Sequence, residues 1–292
     1  MATFINPFTD FGFKRIFGQE AHKKLLIGFL NALFDGEFVV KDLVYRDKEQ
    51  PGETQKSRGV IFDIYCTLAD GKHFVVEMQN KMHVHFDARA LYYLAKAIVA
   101  QGKKGGLWHY EYAPVFGVYF MNYCEEALGK AFCVDFGITR IRELFDSDAT
   151  NTKHKTMLQT AGDQPKPFAN KLRMIFLQMP RFTKTQSECK SDLDRWIYIM
   201  NHLNHLDSIP WEGKGEVWDE LADASKVAAL TPEERFAYDE ELRNLWDLQA
   251  TNAATIHNTI REMAQKMLAK GLDTALIAEI SGLSMNEIEK LK

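Results

Sequence analysis

Gly59-Val-Ile-Phe-Asp63-Ile-Tyr-Cys-Thr-Leu68 and Lys72-His-Phe-Val-Val-Glu77-Met-Gln79, joined by Ala69-Asp70-Gly71, decide the fold. Each run is short, apolar and β-branched, as a strand requires. Side chains alternate along a strand, so Val60, Phe62, Ile64, Cys66 and Leu68 share one face and Ile61, Asp63, Tyr65 and Thr67 the other. On the second run Phe74, Val76 and Met78 oppose His73, Val75, Glu77 and Gln79. Matching apolar face to apolar face pairs Phe62 with Met78, Ile64 with Val76 and Cys66 with Phe74. That register needs a three-residue loop with Gly71 in the left-handed position; a two-residue Asp-Gly turn would slip it by one. It also sets Asp63 opposite Glu77 and Ile61 opposite Gln79. Opposed Cβ atoms lie about 4.5–5.5 Å apart, close enough for two carboxylates to share one divalent cation. A carboxylate in an apolar strand is costly unless compensated, and a bound metal ion is one compensation.

The 292 residues allow one or two domains. At 46% hydrophobic and 26% charged the composition is that of an ordinary soluble protein. No apolar run reaches the roughly 18–20 residues of a membrane span. The opening Met-Ala-Thr-Phe-Ile-Asn-Pro has neither basic nor apolar signal-peptide regions, so a cytoplasmic location is expected. Cys66, Cys124, Cys133 and Cys189 are scattered without a Cys-x-x-Cys pair, which fits a reducing compartment. Charge is uneven. Residues 1–190 carry 26 Lys+Arg against 21 Asp+Glu, a balance of +5, and residues 191–292 carry 10 against 19, a balance of −9. Nucleic-acid binding is electrostatically favoured over the first part and disfavoured over much of the second.

Outward from the hairpin, residues 8–17 suit a short aromatic helix and 20–35 an amphipathic one. A first strand falls at 38–46, a polar loop at 47–57, a helix at 86–101, and strands at 114–121 and 131–136. This order predicts a mixed α/β core. Residues 146–170 read as loop, 172–179 as an added strand, and 187–206, 215–229, 232–249 and 252–269 as helices. Two short helices flank Gly282, with Ser284 and Glu287 forming a capping box for the second. The division expected is a core domain over 1–185 and a helical C-terminal region over 186–292.

Asp63 followed by Glu77-x-Gln79 across a hairpin, behind a helix with an acid near its start, resembles the PD-(D/E)XK nuclease superfamily. Asn6-Pro-Phe-Thr-Asp-Phe-Gly-Phe-Lys14-Arg-Ile-Phe-Gly18, Leu26-Ile-Gly-Phe-Leu-Asn31, the run Val76-Glu77-Met-Gln79 with Phe86, Arg89 and Tyr93, and the tail Ile280–Leu291 narrow the likeness to the Rpn family of recombination-promoting nucleases or transposases. The resemblance covers most of the chain. It implies a restriction-endonuclease-like mixed sheet flanked by helices, a helical C-terminal region, and metal-dependent DNA endonuclease activity linked to recombination or mobile DNA. DNA is the implied partner, and a homodimer is compatible. The superfamily's usual active-site lysine is replaced here by Gln79, as in other members of the group.

Phosphodiester hydrolysis of this kind needs a metal-activated water and cations at the phosphate. Mg²⁺, or Mn²⁺, prefers oxygen ligands. Asp63 and Glu77 supply carboxylates, and the resemblance implies the Met78 carbonyl as a further ligand. Gln79 can hydrogen-bond the attacking water. Glu20 is the candidate auxiliary acid, and Lys81 a substitute cation if the strand continues. Arg89 and Tyr93, one helical turn apart, can face the site. Lys14, Arg15, Lys103 and Lys104 are candidate contacts to the DNA backbone. Other readings stand beside these: a structural polar face for Asp63 and Glu77, an ordinary strand Gln79, a surface Glu20, and packing for Arg89 and Tyr93. His83 with His85, and His202 with His205, lack the partners of a metal site and read as surface histidines. The terminal two-helix motif has few basic residues; packing or partner binding is the favoured role, with a DNA-reading helix-turn-helix as the alternative. The rival to the enzyme is a catalytically degenerate nuclease fold kept for DNA binding or protein interaction. A third possibility is a scaffold that binds no DNA.

Overall fold

The computed structural model describes residues 2–50, 59–103, 109, 111–137 and 171–291. The polar segments at 51–57 and 146–170, and Lys104, lie outside the described residues. The chain divides into two compact units, Met1–Thr231 and Pro232–Lys292.

The first unit opens with α1 (Asp10–Phe17), capped by Thr9, whose hydroxyl accepts from the Gly12 amide. A single 3₁₀ turn over Glu20–His22 leads into α2 (Lys23–Leu33). The strands are β1 (Leu43–Tyr45), β2 (Glu49–Gln50), β3 (Val60–Ile61), β4 (Ile64–Leu68), β5 (His73–Gln79), β6 (Val115–Met121), β7 (Cys133–Gly137) and β8 (Leu172–Gln178). Between β5 and β6 lies α3 (Phe86–Val99), and after β8 come α4 (Asp192–His202) and α5 (Glu216–Ser225). Six strands form one sheet in the order β1-β4-β5-β6-β8-β7. The β1, β4 and β5 ladders are antiparallel, β5-β6-β8 is parallel, and β7 closes the far side antiparallel to β8. This is the mixed sheet of a restriction-endonuclease-like α/β fold.

The sheet is covered on both faces, so its central strands are apolar on both. Phe116 and Phe120 of β6 and Phe74 of β5 meet α1 and α2: Phe13, Phe17 and Phe29 stack around Phe120 with ring centroids 5.0–5.8 Å apart. Trp196 of α4 joins Phe17 and Phe29, and Trp218 of α5 sits 5.1 Å from Trp196. On the opposite face α3 lays Leu94 and Ala97 against Tyr65, Val75 and Val115, and Phe86 and Ala90 against Tyr119 and Phe176. Helices α4 and α5, which composition grouped with the C-terminal region from 186, thus lie within the first compact unit. Their aromatic residues complete the core on the α1–α2 face, an association no local composition change announces.

The hairpin has the anticipated loop and most of the anticipated register. Ile64 pairs with Val76, Tyr65 with Val75 and Cys66 with Phe74. The Leu68 amide donates to the Lys72 carbonyl at 2.8 Å and the Gly71 amide to Leu68 at 2.9 Å, with Gly71 at φ +89°. Only glycine takes that conformation without strain. The single strand expected over 59–68 is broken at Phe62-Asp63. Beyond the break Ile61 pairs with Glu49 and Val60 with Gln50, and the Phe62 amide donates to Lys48. Phe62 therefore has no place opposite Met78. It changes face and packs with Tyr65 and Tyr93 beneath α3.

In the second unit the two helices expected over 232–249 and 252–269 are one, α6 (Pro232–Ala269, 38 residues). The polar stretch between them contains neither Gly nor Pro, so nothing stops the helix. Then follow α7 (Thr274–Ser281) and α8 (Met285–Glu289). Gly282 ends α7 at φ +70°, and Ser284 and Glu287 form the anticipated capping box. Ala264, Ile277, Leu283 and Ile288 make this unit's core.

Candidate active site

The break in the β3–β4 run is made by the carboxylates. The Asp63 amide donates to Glu77 Oε1 at 3.1 Å, and the Met78 amide donates to Asp63 Oδ2 at 2.9 Å. Where the ladder would continue past Ile64 and Val76, side-chain oxygens replace backbone carbonyls. Gln79 Nε2 donates to Glu77 Oε2 at 3.4 Å. Asp63, Glu77 and Gln79 are thus joined in one cluster, with Glu77 and Gln79 on the α3 face of β5.

Glu77 is 2% exposed. Burial, and then the charge of Asp63, push its carboxyl well above the ordinary carboxyl range. Burial also raises Asp63, opposed by the Met78 amide. Neither carboxylate makes an ion pair with a described residue. Two cations act on both from a distance: Lys14 of α1 and Arg89 of α3. Lys14 is paired with Asp10 at 2.6 Å, and the Arg89 guanidinium lies 5.1 Å over the Tyr93 ring. Tyr93 also packs against Phe62, so both residues on α3 stand beside the pair.

The position of α1 is fixed by the end of β5. Asn80, next after Gln79, donates through Nδ2 to the Phe8 carbonyl at 2.7 Å, ahead of the Thr9 cap. Asn122 donates through Nδ2 to Asn80 Oδ1 at 3.2 Å, and its amide to the Gln79 carbonyl at 2.8 Å. The site strand, its neighbour β6 and the start of α1 are therefore one hydrogen-bonded frame. Tyr119, paired in register with Glu77, lies over Gly117 and donates to the Ala90 carbonyl of α3 at 3.1 Å. A Cβ at position 117 would come within 2.6 Å of the Tyr119 hydroxyl oxygen.

Other candidates stand elsewhere. Glu20 is exposed on the 3₁₀ turn and pairs with Lys23 at 3.2 Å, which also holds Asp42. The acid whose charge reaches Asp63 is instead Asp10, in the first turn of α1. Asp10, Asn80, Asn122 and Tyr119 were missed by reading strand pattern alone. Asp10 had a local signal, since it sits four residues before Lys14 in the same helix turn. Lys81 falls after β5 has ended and is exposed. Arg15 turns its Nε to the Ala224 carbonyl at 2.8 Å. Lys103 is exposed beyond α3.

Among the described residues no three His, Cys, Asp or Glu side chains gather into a metal cage. The donor set that is present, two adjacent carboxylates on a strand pair, fits a cation that takes few protein ligands and keeps waters, as Mg²⁺ does. A restriction-endonuclease-like sheet carrying such a pair at its antiparallel margin defines a nuclease-type fold. A family model described as PD-(D/E)XK nuclease family transposase matches residues 7–254. The chain belongs to that family. Residues 257–292 match the C-terminal HTH domain of the Rpn/YhgA-like nuclease family, which supports the helix-turn-helix reading of α7 and α8 over simple packing. No curated protein and no solved structure matches the chain. Among the described residues no helix is long and apolar enough to cross a membrane.

Proposed function

We propose that the chain is a divalent-metal-dependent DNA endonuclease acting on recombining or mobile DNA, with Asp63, Glu77 and Gln79 as its catalytic residues. The observation that carries this reading is the pair of adjacent carboxylates, Glu77 buried and Asp63 half-buried, without an ion-pair partner among the described residues. Left alone at neutral pH that arrangement is unfavourable, and a divalent ion removes the cost. Asp63, Glu77 and the Met78 carbonyl would hold Mg²⁺ or Mn²⁺. When bound, the ion supplies an activated water and charge neutralisation at the phosphate. Gln79, already donating to Glu77, orients that carboxylate and a neighbouring water. Arg89 and Lys14 contribute positive charge to the phosphate from opposite sides of the sheet, Arg89 steadied on Tyr93. Lys103 and Lys104 extend the contact to the DNA backbone. Arg15 serves the fold through Ala224, and Glu20 and Lys81 act at the periphery. The protein is proposed to work in the cytoplasm.

The test is plasmid nicking by purified protein across Mg²⁺ and Mn²⁺. The wild type is expected to nick, and Asp63→Ala to lose at least about 100-fold, the scale of removing a transition-state stabilising group. Equal background cleavage by both proteins sinks the enzyme reading. A second reading, a degenerate nuclease fold retained for DNA binding or protein interaction, is favoured by one observation: the position after Glu77-Met78 carries an uncharged amide engaged with Glu77. Salt-dependent DNA binding unchanged in Asp63→Ala, with no cleavage by either protein, supports it.

A further inference from the structure

Five residues leave the site strand together and all stay in water. Lys81, Met82, His83, Val84 and His85 lie between the end of β5 and the start of α3, and every one of them is exposed. Two are large and apolar: Met82 is 65% exposed and Val84 85%. The side chains of Lys81, His83 and His85 make no hydrogen bond or ion pair with a described residue. Between Glu77 and Asp87 the chain carries no acid, and Asp87 itself belongs to the first turn of α3. Apolar residues scattered singly over a surface are ordinary. Two of them alternating with three unpaired donors, one residue beyond Gln79 and Asn80, are not explained by the fold.

The loop is held at both ends. Before it, the Asn80 side chain is bonded to Phe8 and to Asn122. After it, Phe86 is buried edge-on against Tyr119 and Phe176, with ring centroids 5.6 and 6.0 Å away. The Phe86 amide donates to the His83 carbonyl at 3.1 Å, closing a turn through Val84 and His85. His85 has φ +66° and is the one non-glycine in the left-handed region among the described residues. An L side chain holds that conformation only at a cost. Anchored in this way, the loop presents Met82 and Val84 without first having to be ordered.

Charge and place identify the occupant. Unpaired donors suit phosphate oxygens and the acceptor edges of the minor groove, and the loop has no carboxylate to repel them. Met82 is three residues from Gln79, at most about 10 Å of chain. Base pairs rise about 3.4 Å, so the loop reaches bases within about three steps of a phosphate at the carboxylates. Apolar side chains that meet DNA in the minor groove enter the base stack, partly unstacking it and kinking the duplex.

We propose that residues 81–85 are a minor-groove wedge. Met82, backed by Val84, inserts between base pairs beside the Asp63–Glu77 pair, while Lys81, His83 and His85 donate to the flanking phosphates and groove edges. The inference rests on the reading that DNA lies at that pair, and it names the feature selected there: duplex DNA that unstacks easily, at a mismatch or a flexible pyrimidine–purine step.

The probe is duplex DNA carrying 2-aminopurine, whose fluorescence rises on unstacking, bound in chelator so that metal-dependent cleavage does not intervene. Wild type should raise the fluorescence at least about two-fold and bind a duplex with one mismatched pair about ten-fold more tightly than the matched one, because the mismatch is already partly unstacked. The double variant Met82→Ala/Val84→Ala should melt at the wild-type temperature, keep the salt dependence of binding, and lose both the fluorescence rise and the mismatch preference. Lys81→Met should keep the rise and lower the slope of log affinity against log salt by about one. Wild-type binding without a rise at any position of the duplex, or a rise that survives in the double variant, overturns the wedge and leaves the nuclease reading standing. A double variant that loses affinity equally for matched and mismatched DNA makes the loop an ordinary contact and also overturns it. No binding to any duplex at low salt, in chelator or with Ca²⁺, overturns the DNA reading and the wedge together.

Discussion

At Asp63 and Glu77 the carboxylate oxygens stand where backbone carbonyls would otherwise continue the β4–β5 ladder, so the site and the break in the strand have one cause. The burial that raises Glu77 has a consequence for stability. A folded carboxyl that holds its proton more tightly than the unfolded chain does is favourable at low pH. That contribution is complete below the ordinary value of 4.5 and is lost as pH rises through the raised folded value. In chelator, Glu77→Gln should therefore melt several degrees above wild type at pH 8, with the gap closing below pH 4.5. Mg²⁺ should raise the wild-type melting point at pH 8 and leave Glu77→Gln unmoved. A wild type more stable than the variant in chelator at pH 8 would contradict this. Lys14→Met and Arg89→Met should each weaken DNA binding and lower the slope of log affinity against log salt by about one, measured by fluorescence anisotropy. An unchanged slope would remove either residue from the phosphate path.

Two elements hold the site strand from opposite sides. Helix α3 supplies Arg89 and Tyr93 and rests on Leu94, which is 0% exposed. Leu94→Ala should cost about 2–5 kcal/mol in urea unfolding, the range for a leucine removed from a close-packed core. Gly117→Ala should cost about 1–3 kcal/mol, since the added methyl enters the space of the Tyr119 hydroxyl that ties β6 to α3. A neutral Gly117→Ala would show that Tyr119 can leave Ala90 freely. At the other end of the chain, Ser284→Ala removes the hydroxyl that accepts from the Glu287 amide and donates to its carboxylate, leaves the backbone arm of the α8 cap, and should cost the second unit about 1 kcal/mol.

Over the whole molecule the charge is divided, basic through 190 and acidic after it. DNA affinity should fall steeply as salt rises from 50 to 200 mM, because phosphate contacts by Lys and Arg release counterions. The three-residue loop, the Ile64–Val76 and Cys66–Phe74 pairs and the adjacency of Asp63 to Glu77 were legible from alternation, since a one-residue slip would bury polar faces. Alternation could not show Phe62 changing face, because that depends on Asp63 and Glu77 taking over backbone hydrogen bonds. Nor could it place Asp10 and Lys14 beside the pair while leaving Glu20 with Lys23. Those positions follow from Asn80 bonding to Phe8, a contact between residues 72 apart. Periodicity and turn chemistry act over a few residues and specify elements and local register. Which helix acid and which cation meet at the carboxylates is set by long-range packing, and only the folded chain brings those groups together.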